Sequence, residues 1–183
     1  MKRAEKRAKW EAFSAHAPYG VINGQRLHAC AELPYGLGTL GHCGCEVIAV
    51  YNALCLTHKP ADLQQIARYM VRFAMLFGKW GTFPFAVGHS LKHFGLCIRK
   101  IRKENDLRRV LETGHRCVYV YWTKRPFRSS IHTVCMEQHD GALTIYNEYS
   151  NVGRQLVEQP DELLGRRRNI AAYEILSLKG ATP

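Results

Sequence analysis

Two kinds of residue pattern follow one another along this chain, and their order restricts the fold more than any other feature. Between residues 45 and 94 apolar residues recur with helical spacing, beginning at Val47, Ile48 and Tyr51. From residue 115 onward the chain is dense in β-branched and aromatic residues, as strands are. Helices first and strands later predict an α+β fold, with N-terminal helices packed on a C-terminal antiparallel sheet.

Individual elements can be predicted within this order. A basic helical arm is expected over residues 1–16, followed by a loop rich in Gly, Pro and Tyr. Helices are expected to begin beside Cys45, at Pro60 and near Val87, and the second should reach about Phe77. Strands are predicted at LCIRKIR, HRCVYVYW, IHTVCMEQ, ALTIYN and NIAAYEILSL, with a short helix at ENDLRRVLE.

Length and composition limit the number of domains. The 183 residues and 20.9 kDa suit one compact domain, and 46% hydrophobic residues exclude a disordered chain. We expect a basic N-terminal arm over residues 1–16 and a single domain over residues 17–183.

The chain has a formal net charge of +11, which is compatible with an anionic partner. The basic residues form three separate clusters, at residues 2–9, 99–103 and 166–168, rather than one continuous track. Solvated surface is the more common role of such clusters, so nucleic acid is an unlikely partner. If nucleic acid did bind, it would use the basic N-terminal arm together with Arg166, Arg167 and Arg168, with Tyr119, Tyr121 and Trp122 as a stacking platform.

The lengths of the apolar runs and the pattern of cysteines indicate the cellular compartment of the protein. No apolar run approaches the roughly 18–20 residues needed to cross a bilayer, and the basic N-terminus leads to no apolar signal core. The seven cysteines are odd in number and lie mostly in apolar patterns, which disfavours a disulfide framework. We expect a cytoplasmic protein that does not insert into membranes.

Cys45 is the first candidate for chemistry. It follows Gly44 in the first turn of a predicted helix, where exposed N–H groups and the helix dipole favour a thiolate and could stabilise an oxyanion. A cysteine nucleophile needs a base, normally histidine, and a group that orients the base.

His132 and Asn147 are the candidates for base and orienting group. Each is polar on an otherwise apolar strand face, His132 before Val134 and Asn147 after Ile145. Asp140-Gly141 predicts a two-residue hairpin turn that places Val134 opposite Asn147 and His132 opposite Tyr149. His132 and Asn147 then become diagonal neighbours on one face.

The order Cys, His, Asn resembles that of papain-like cysteine peptidases. More closely, GHCGCEVIAVYNAL followed by HTVCMEQHDGALTIYN resembles the bacteriocin-processing peptidases that cut leader peptides after a double glycine. Ala49 stands four positions after Cys45, and Asn147 stands 15 positions after His132, as in those relatives. The resemblance implies a thiol peptidase in which Cys45 is nucleophile, His132 is base and Asn147 orients His132, with no cofactor.

Two departures from this family leave alternatives open. Cys43-Gly44 also resembles the start of the family motif, so Cys43 is the rival nucleophile, although Val47 would then occupy the small-residue position. The family's oxyanion glutamine, six residues before the cysteine, is replaced by Thr39, or by Leu37 if Cys43 leads. Thr39, His42, Asn23 and Gln25 are candidate substitutes, and an inactive relative that binds a peptide or protein is the alternative function.

Other classes of function are less well supported. His42, Cys43 and Cys45, with His89 and His93, could be read as a zinc site, but they lack the usual structural-zinc spacing. Amidase and acyl-transfer chemistry use the same Cys-His arrangement. The partner we expect is a peptide or protein substrate, and the excess positive charge suits an acidic one.

Overall fold

The structure, a computed structural model, describes residues 3–14, 20–27, 29–123, 130–139, 142–148 and 156–176. Within these ranges the helices are α1 (Arg3–Ser14), α2 (Leu40–Cys43), α3 (Cys45–Leu56), α4 (Leu63–Met70), α5 (Phe85–His93), α6 (Glu104–Glu112) and α7 (Pro160–Arg166). The strands are β1 (Pro34–Tyr35), β2 (Gly38–Thr39), β3 (Ile98–Ile101), β4 (Arg116–Thr123), β5 (Ser130–His139), β6 (Ala142–Tyr146), β7 (Leu156–Glu158) and β8 (Arg167–Ile175).

A six-stranded sheet in the order β3-β8-β4-β5-β6-β7 forms the C-terminal layer, and every neighbouring pair in it is antiparallel. The first two strands form a separate small hairpin. The predicted α+β class, with N-terminal helices on an antiparallel sheet, is confirmed.

Helices cover both faces of the sheet. On one face α3 packs across β4 and β5, and it is buried almost all round because α4 and α5 lie against it from the other side. On the other face α6 and α7 enclose a second apolar cluster. Successive side chains of β5 point to opposite faces of the sheet. Cys135 therefore packs in the apolar cluster around α3, while Val134 and Met136 pack in the second cluster.

The basic helix α1 packs onto this core. Trp10 and Phe13 are buried in the same cluster as α3, and their rings meet edge to face with centroids 6.2 Å apart. Burying a side chain of this size contributes about 1.5–3 kcal/mol. The predicted boundary at residue 16 falls within residues 15–19, outside the described ranges.

The second predicted helix is wrong at both ends. It begins at Leu63, because Asp62 caps it by accepting hydrogen bonds from the backbone N–H groups of Gln64 and Gln65. It ends at Met70, well before Phe77, because the chain then turns so that Ala74 pairs with Thr82. The sequence patterns also missed β7 and α7, and they assigned to loop the small β1–β2 hairpin and the start of α2.

Across the parts of the chain that the structure describes, none of the helices combines the length and the apolar character that a bilayer span requires.

Candidate active site

A glycine joint places two cysteines at adjacent helix ends. Cys43 ends α2, Gly44 lies between the helices, and Cys45 begins α3 as predicted. A Cβ atom at Gly44 would lie 2.6 Å from the carbonyl oxygen of Leu40, so no larger residue fits without moving the backbone. As a result, the sulfur atoms of Cys43 and Cys45 lie in different surroundings.

Cys45 is buried between α3 and β5. Its Sγ donates a hydrogen bond to Glu46 Oε2 at 3.3 Å and also lies beside the backbone of Thr133. Burial, the charge of Glu46 and this hydrogen bond raise the pKa of the Cys45 thiol well above its ordinary value, although the Thr133 backbone opposes them. The prediction that the helix start lowers this pKa is therefore wrong.

Glu46 is a second titratable group at the helix start, and the sequence analysis missed it. Its carboxyl is buried, and burial raises its pKa to about 7, opposed by hydrogen bonds from its own backbone, Cys45 and the Thr82 backbone. Thr82 is itself hydrogen-bonded to the Tyr35 hydroxyl at 2.5 Å. A buried carboxyl thus stands next to the candidate nucleophile.

Cys43 lies on the other side of the joint. Its Sγ donates to the carbonyl oxygen of Lys79 at 3.7 Å, and burial raises the pKa of its thiol. A Cβ atom at Gly38 would come within 2.7 Å of this sulfur. Cys43 therefore packs against the 78–81 segment, whereas Cys45 packs against β5.

His132 lies on β5 opposite Tyr121 of β4. Its Nε2 lies 2.7 Å from the backbone carbonyl oxygen of Asn147, and its ring meets Tyr121 edge to face. A carbonyl oxygen only accepts hydrogen bonds, so Nε2 carries the proton of the neutral ring. Nδ1 is then the nitrogen that can take up a proton.

Asn147 holds this position through its backbone. The predicted hairpin register is confirmed from His139 with Ala142 to Cys135 with Tyr146, where the ladder ends before it reaches Asn147. The Asp140-Gly141 turn and Tyr149 lie outside the described residues. Asn147 instead takes a left-handed conformation with φ of 64°, which asparagine tolerates better than most residues.

The Asn147 side chain is occupied by the loop at residues 20–27. Gln25 donates its backbone N–H to Asn147 Oδ1 at 3.0 Å, and Asn147 Nδ2 donates to Gln25 Oε1 at 2.8 Å. The backbone N–H of Asn147 donates to Asn23 Oδ1 at 2.8 Å. Asn147 therefore contacts His132 through its backbone carbonyl, while its side-chain amide holds the loop.

Gln25 connects this corner to the cysteine helices. Its Nε2 lies 3.2 Å from the carbonyl oxygens of both Leu40 and Gly41 in α2. Asn52 of α3 fixes the same loop through a pair of hydrogen bonds with the backbone of Ile22. One loop thus links the helix joint to the strand end that carries the candidate base.

Glu148 secures the other side of Asn147. Its side chain is 11% exposed, and its two carboxylate oxygens accept from the Tyr121 hydroxyl and from Arg167 Nη2, each at 2.5 Å. Tyr121 also packs beneath the Arg167 guanidinium. No sequence signal beyond proximity to Asn147 pointed to these residues.

Solved structures share this architecture. A double-glycine motif protease from an AMS/PCAT transporter, solved in complex with the leader peptide, is 17% identical and has a TM-score of 0.50, with 72% of this chain and 84% of that chain covered. The chain has the C39-like peptidase fold. The peptidase domain of Streptococcus ComA is 14% identical with a TM-score of 0.52, covering 73% of this chain and 91% of that one.

A third structure, from Bacillus anthracis and described as a C39-like peptidase, is 12% identical with a TM-score of 0.53, covering 87% of this chain and 95% of that one. No sequence-family model and no curated protein matches this chain. The likeness is therefore one of fold, and the site residues are argued from their own contacts.

The four candidate substitutes for the family's oxyanion glutamine differ in what their side chains contact. Gln25 has its amide committed to Leu40 and Gly41, and Asn23 to Asn147. Thr39 is half-buried just before α2, and His42 is exposed with its Nδ1 3.5 Å from Arg26 Nη2. Of these, only Thr39 and His42 have side chains not committed to Asn147 or to the α2 carbonyls.

The structure also bears on the zinc site and the nucleic-acid platform considered in the sequence analysis. His89 and His93 stack on Tyr69 with ring centroids 6.0 and 3.7 Å from it, and the described residues contain no cluster of three metal-ligating side chains. Tyr119 and Tyr121 are fully buried, so the proposed stacking platform for nucleic acid is wrong.

Proposed function

We propose that this protein is a thiol peptidase in which Cys45 is the nucleophile, His132 the base and Asn147 the residue that orients the base. The observation that carries the proposal is the contact of His132 Nε2 with the Asn147 carbonyl, because it places the proton of the neutral ring on Nε2 and makes Nδ1 the basic nitrogen. The Cys45 sulfur lies beside the backbone of Thr133, the residue that follows His132. The C39-like fold supports peptidase chemistry in general terms.

The proposed reaction needs only these groups. The Cys45 sulfur attacks the peptide carbonyl carbon, and its proton passes to His132 Nδ1. The positive end of α3 stabilises the oxyanion. His132 then protonates the amine that leaves, and a water molecule, deprotonated by His132, hydrolyses the thioester and regenerates the thiol.

The resting state differs from a preformed ion pair. The Cys45 sulfur donates its hydrogen bond to Glu46, and the pKa of the thiol is raised. In the proposed reaction the thiol therefore gives up its hydrogen bond to Glu46 when it loses its proton. A buried Glu46 that becomes protonated near neutral pH would ease this step, because its charge is then removed.

The substrate we propose is a leader peptide cut after a small-residue pair such as Gly-Gly. A structural neighbour was solved with its leader peptide, which supports this class. The formal charge of +11 favours an acidic peptide through long-range attraction.

A second candidate function is peptide binding without turnover. The hydrogen bond from Cys45 to Glu46 favours it, because that contact stabilises the protonated thiol. Such a protein would use the same surface but would release its peptide intact.

Cleavage of Gly-Gly peptides, followed by mass spectrometry, tests the proposal. Cys45→Ser should abolish cleavage, whereas Cys43→Ser should retain it, and an acidic and a neutral peptide with the same cleavage site give the role of charge. Binding of the peptide by the wild type with no product would establish the second candidate. Loss of cleavage in Cys43→Ser alone would move the nucleophile to Cys43.

A further inference from the structure

A short hairpin beside the cysteine joint carries large apolar side chains into solvent. We define the apolar hairpin as residues 73–83. Its two arms are joined by the Ala74–Thr82 pair and by hydrogen bonds from Met75 N to Gly81 O at 2.9 Å and from Phe83 N to Phe73 O at 3.1 Å. Its tip is therefore residues 76–80.

The tip is exposed to an unusual degree. Leu76, Phe77 and Trp80 keep 54%, 78% and 72% of their surface in solvent. Leu37, with 64% exposed, lies beside them, because its backbone N–H donates to the Phe77 carbonyl at 2.7 Å. An exposed apolar group of this size marks a surface that meets another phase or another molecule.

The tip is held in this arrangement by its backbone. Leu76 and Phe77 both have positive φ angles, 44° and 56°, which side chains of this kind rarely adopt. Gly36 packs so closely that a Cβ atom there would overlap the Phe77 carbonyl group. The protein thus accepts backbone strain to keep these side chains pointing outward, which is typical of functional loops.

The charge around the hairpin selects the partner. Residues 63–103 contain no Asp or Glu, while Lys79 belongs to the hairpin and the exposed Arg72 directly precedes it. A second copy of this chain would bring like charges together, so self-association is disfavoured. Exposed aromatic and leucine side chains framed by cations match the interface of an anionic bilayer.

We propose that the apolar hairpin makes peripheral contact with an anionic membrane surface. The side chains of Leu76, Phe77 and Trp80 enter the headgroup layer, and Arg72 and Lys79 meet lipid phosphates. Apolar side chains that stand out from a hairpin tip can enter the headgroup layer of a bilayer while the backbone stays in water. This contact involves no membrane-spanning segment and does not depend on peptidase activity.

Vesicle binding of the full-length protein tests the proposal at 0.15 M salt. The probes are phosphatidylcholine vesicles with and without about one third phosphatidylglycerol. The wild type should co-sediment with the anionic vesicles only. The double variant Phe77→Ala/Trp80→Ala keeps the net charge and should bind at least about tenfold more weakly, as expected when two large apolar side chains are removed.

Controls separate this contact from general attraction by the basic chain. Trp122→Ala removes an exposed aromatic side chain on β4 and should bind like the wild type. Lys79→Gln should weaken binding about fivefold. In the wild type, brominated lipids should quench tryptophan emission, and in Trp80→Phe most of that quenching should disappear.

Several results would overturn the proposal. These are binding that survives Phe77→Ala/Trp80→Ala, equal binding to neutral vesicles, and no quenching by brominated lipids in the wild type. Loss of binding to an acidic peptide in that variant, with no vesicle binding by the wild type, would assign the hairpin to a peptide instead. If the double variant does not fold, the quenching measurement decides alone.

Discussion

His132 Nε2 meets the backbone carbonyl of Asn147 at 2.7 Å, not the side-chain amide. The amide is taken by Gln25, so the two functions of Asn147 belong to different atoms. The orientation of His132, the proposed base, therefore depends on the left-handed backbone of Asn147 and on the loop that holds it.

Substitution of Asn147 separates these two functions. Asn147→Gly keeps the carbonyl and accepts the left-handed conformation, whereas Asn147→Ala adds a conformational cost of about 1–2 kcal/mol. Both lose the hydrogen bonds with Gln25. We expect the pKa of His132, followed by NMR titration, to stay closer to the wild-type value in Asn147→Gly. An equally large change in the pKa of His132 in both variants would show that the side chain of Asn147 orients the ring.

Gln25 should act on the site without touching substrate. Gln25→Ala removes the acceptor of the buried Asn147 Nδ2 and one hydrogen bond from each of the Leu40 and Gly41 carbonyls, at a cost of about 1–3 kcal/mol in unfolding free energy. If the proposed peptidase activity is present, we expect kcat to fall more than KM rises. The exposed Gln65→Ala is the matched control and should leave both stability and kcat unchanged.

Glu46→Gln should make Cys45 more reactive. The carboxylate raises the pKa of the Cys45 thiol by charge and by accepting its hydrogen bond, so a neutral amide relieves both effects. Iodoacetamide labelling of Cys45, mapped by mass spectrometry over a pH series, should therefore shift to lower pH in the variant. An unchanged profile would mean that burial alone controls the thiol.

The same carboxyl should make stability depend on pH. Because burial raises the pKa of Glu46 from 4.5 to about 7, the folded protein holds the proton more tightly than the unfolded chain. Its contribution to stability is fully present below about pH 4.5 and is lost as pH rises to about 7, by up to about 3 kcal/mol. Urea unfolding at several pH values should show this slope in the wild type and a flatter one in Glu46→Gln.

Alanine substitutions at two glycines, Gly44 between α2 and α3 and Gly165 in α7, should change the stability of the fold in opposite directions. Gly44→Ala forces a Cβ atom against Leu40 and should destabilise the fold by about 1–3 kcal/mol. Gly165→Ala in α7 meets nothing within 4 Å and should stabilise that helix by up to about 1 kcal/mol. Thermal melts of both variants check the pair, and a neutral Gly44→Ala would show that α2 and α3 can separate freely.

Sequence patterns predicted the local parts of this fold well. The start of α3 at Cys45 follows from helical spacing after a glycine, and the β5–β6 register follows from the Asp-Gly turn. Both depend on residues close together in the chain. The end of α4 was missed because the turn after Met70 depends on pairing between Ala74 and Thr82, which helical periodicity does not reveal.

By itself the sequence determined the order of helices and strands, the place of Cys45 at a helix start and the strand position of His132. Only the tertiary structure decided that Asn147 offers its backbone carbonyl to His132 and that Glu46 is buried beside Cys45. It also decided that the Asn147 side chain is held by Gln25, 122 residues away in the sequence. Periodicity and turn chemistry are short-range. Burial, proton affinity and the choice between a backbone and a side-chain acceptor arise only when distant segments pack together.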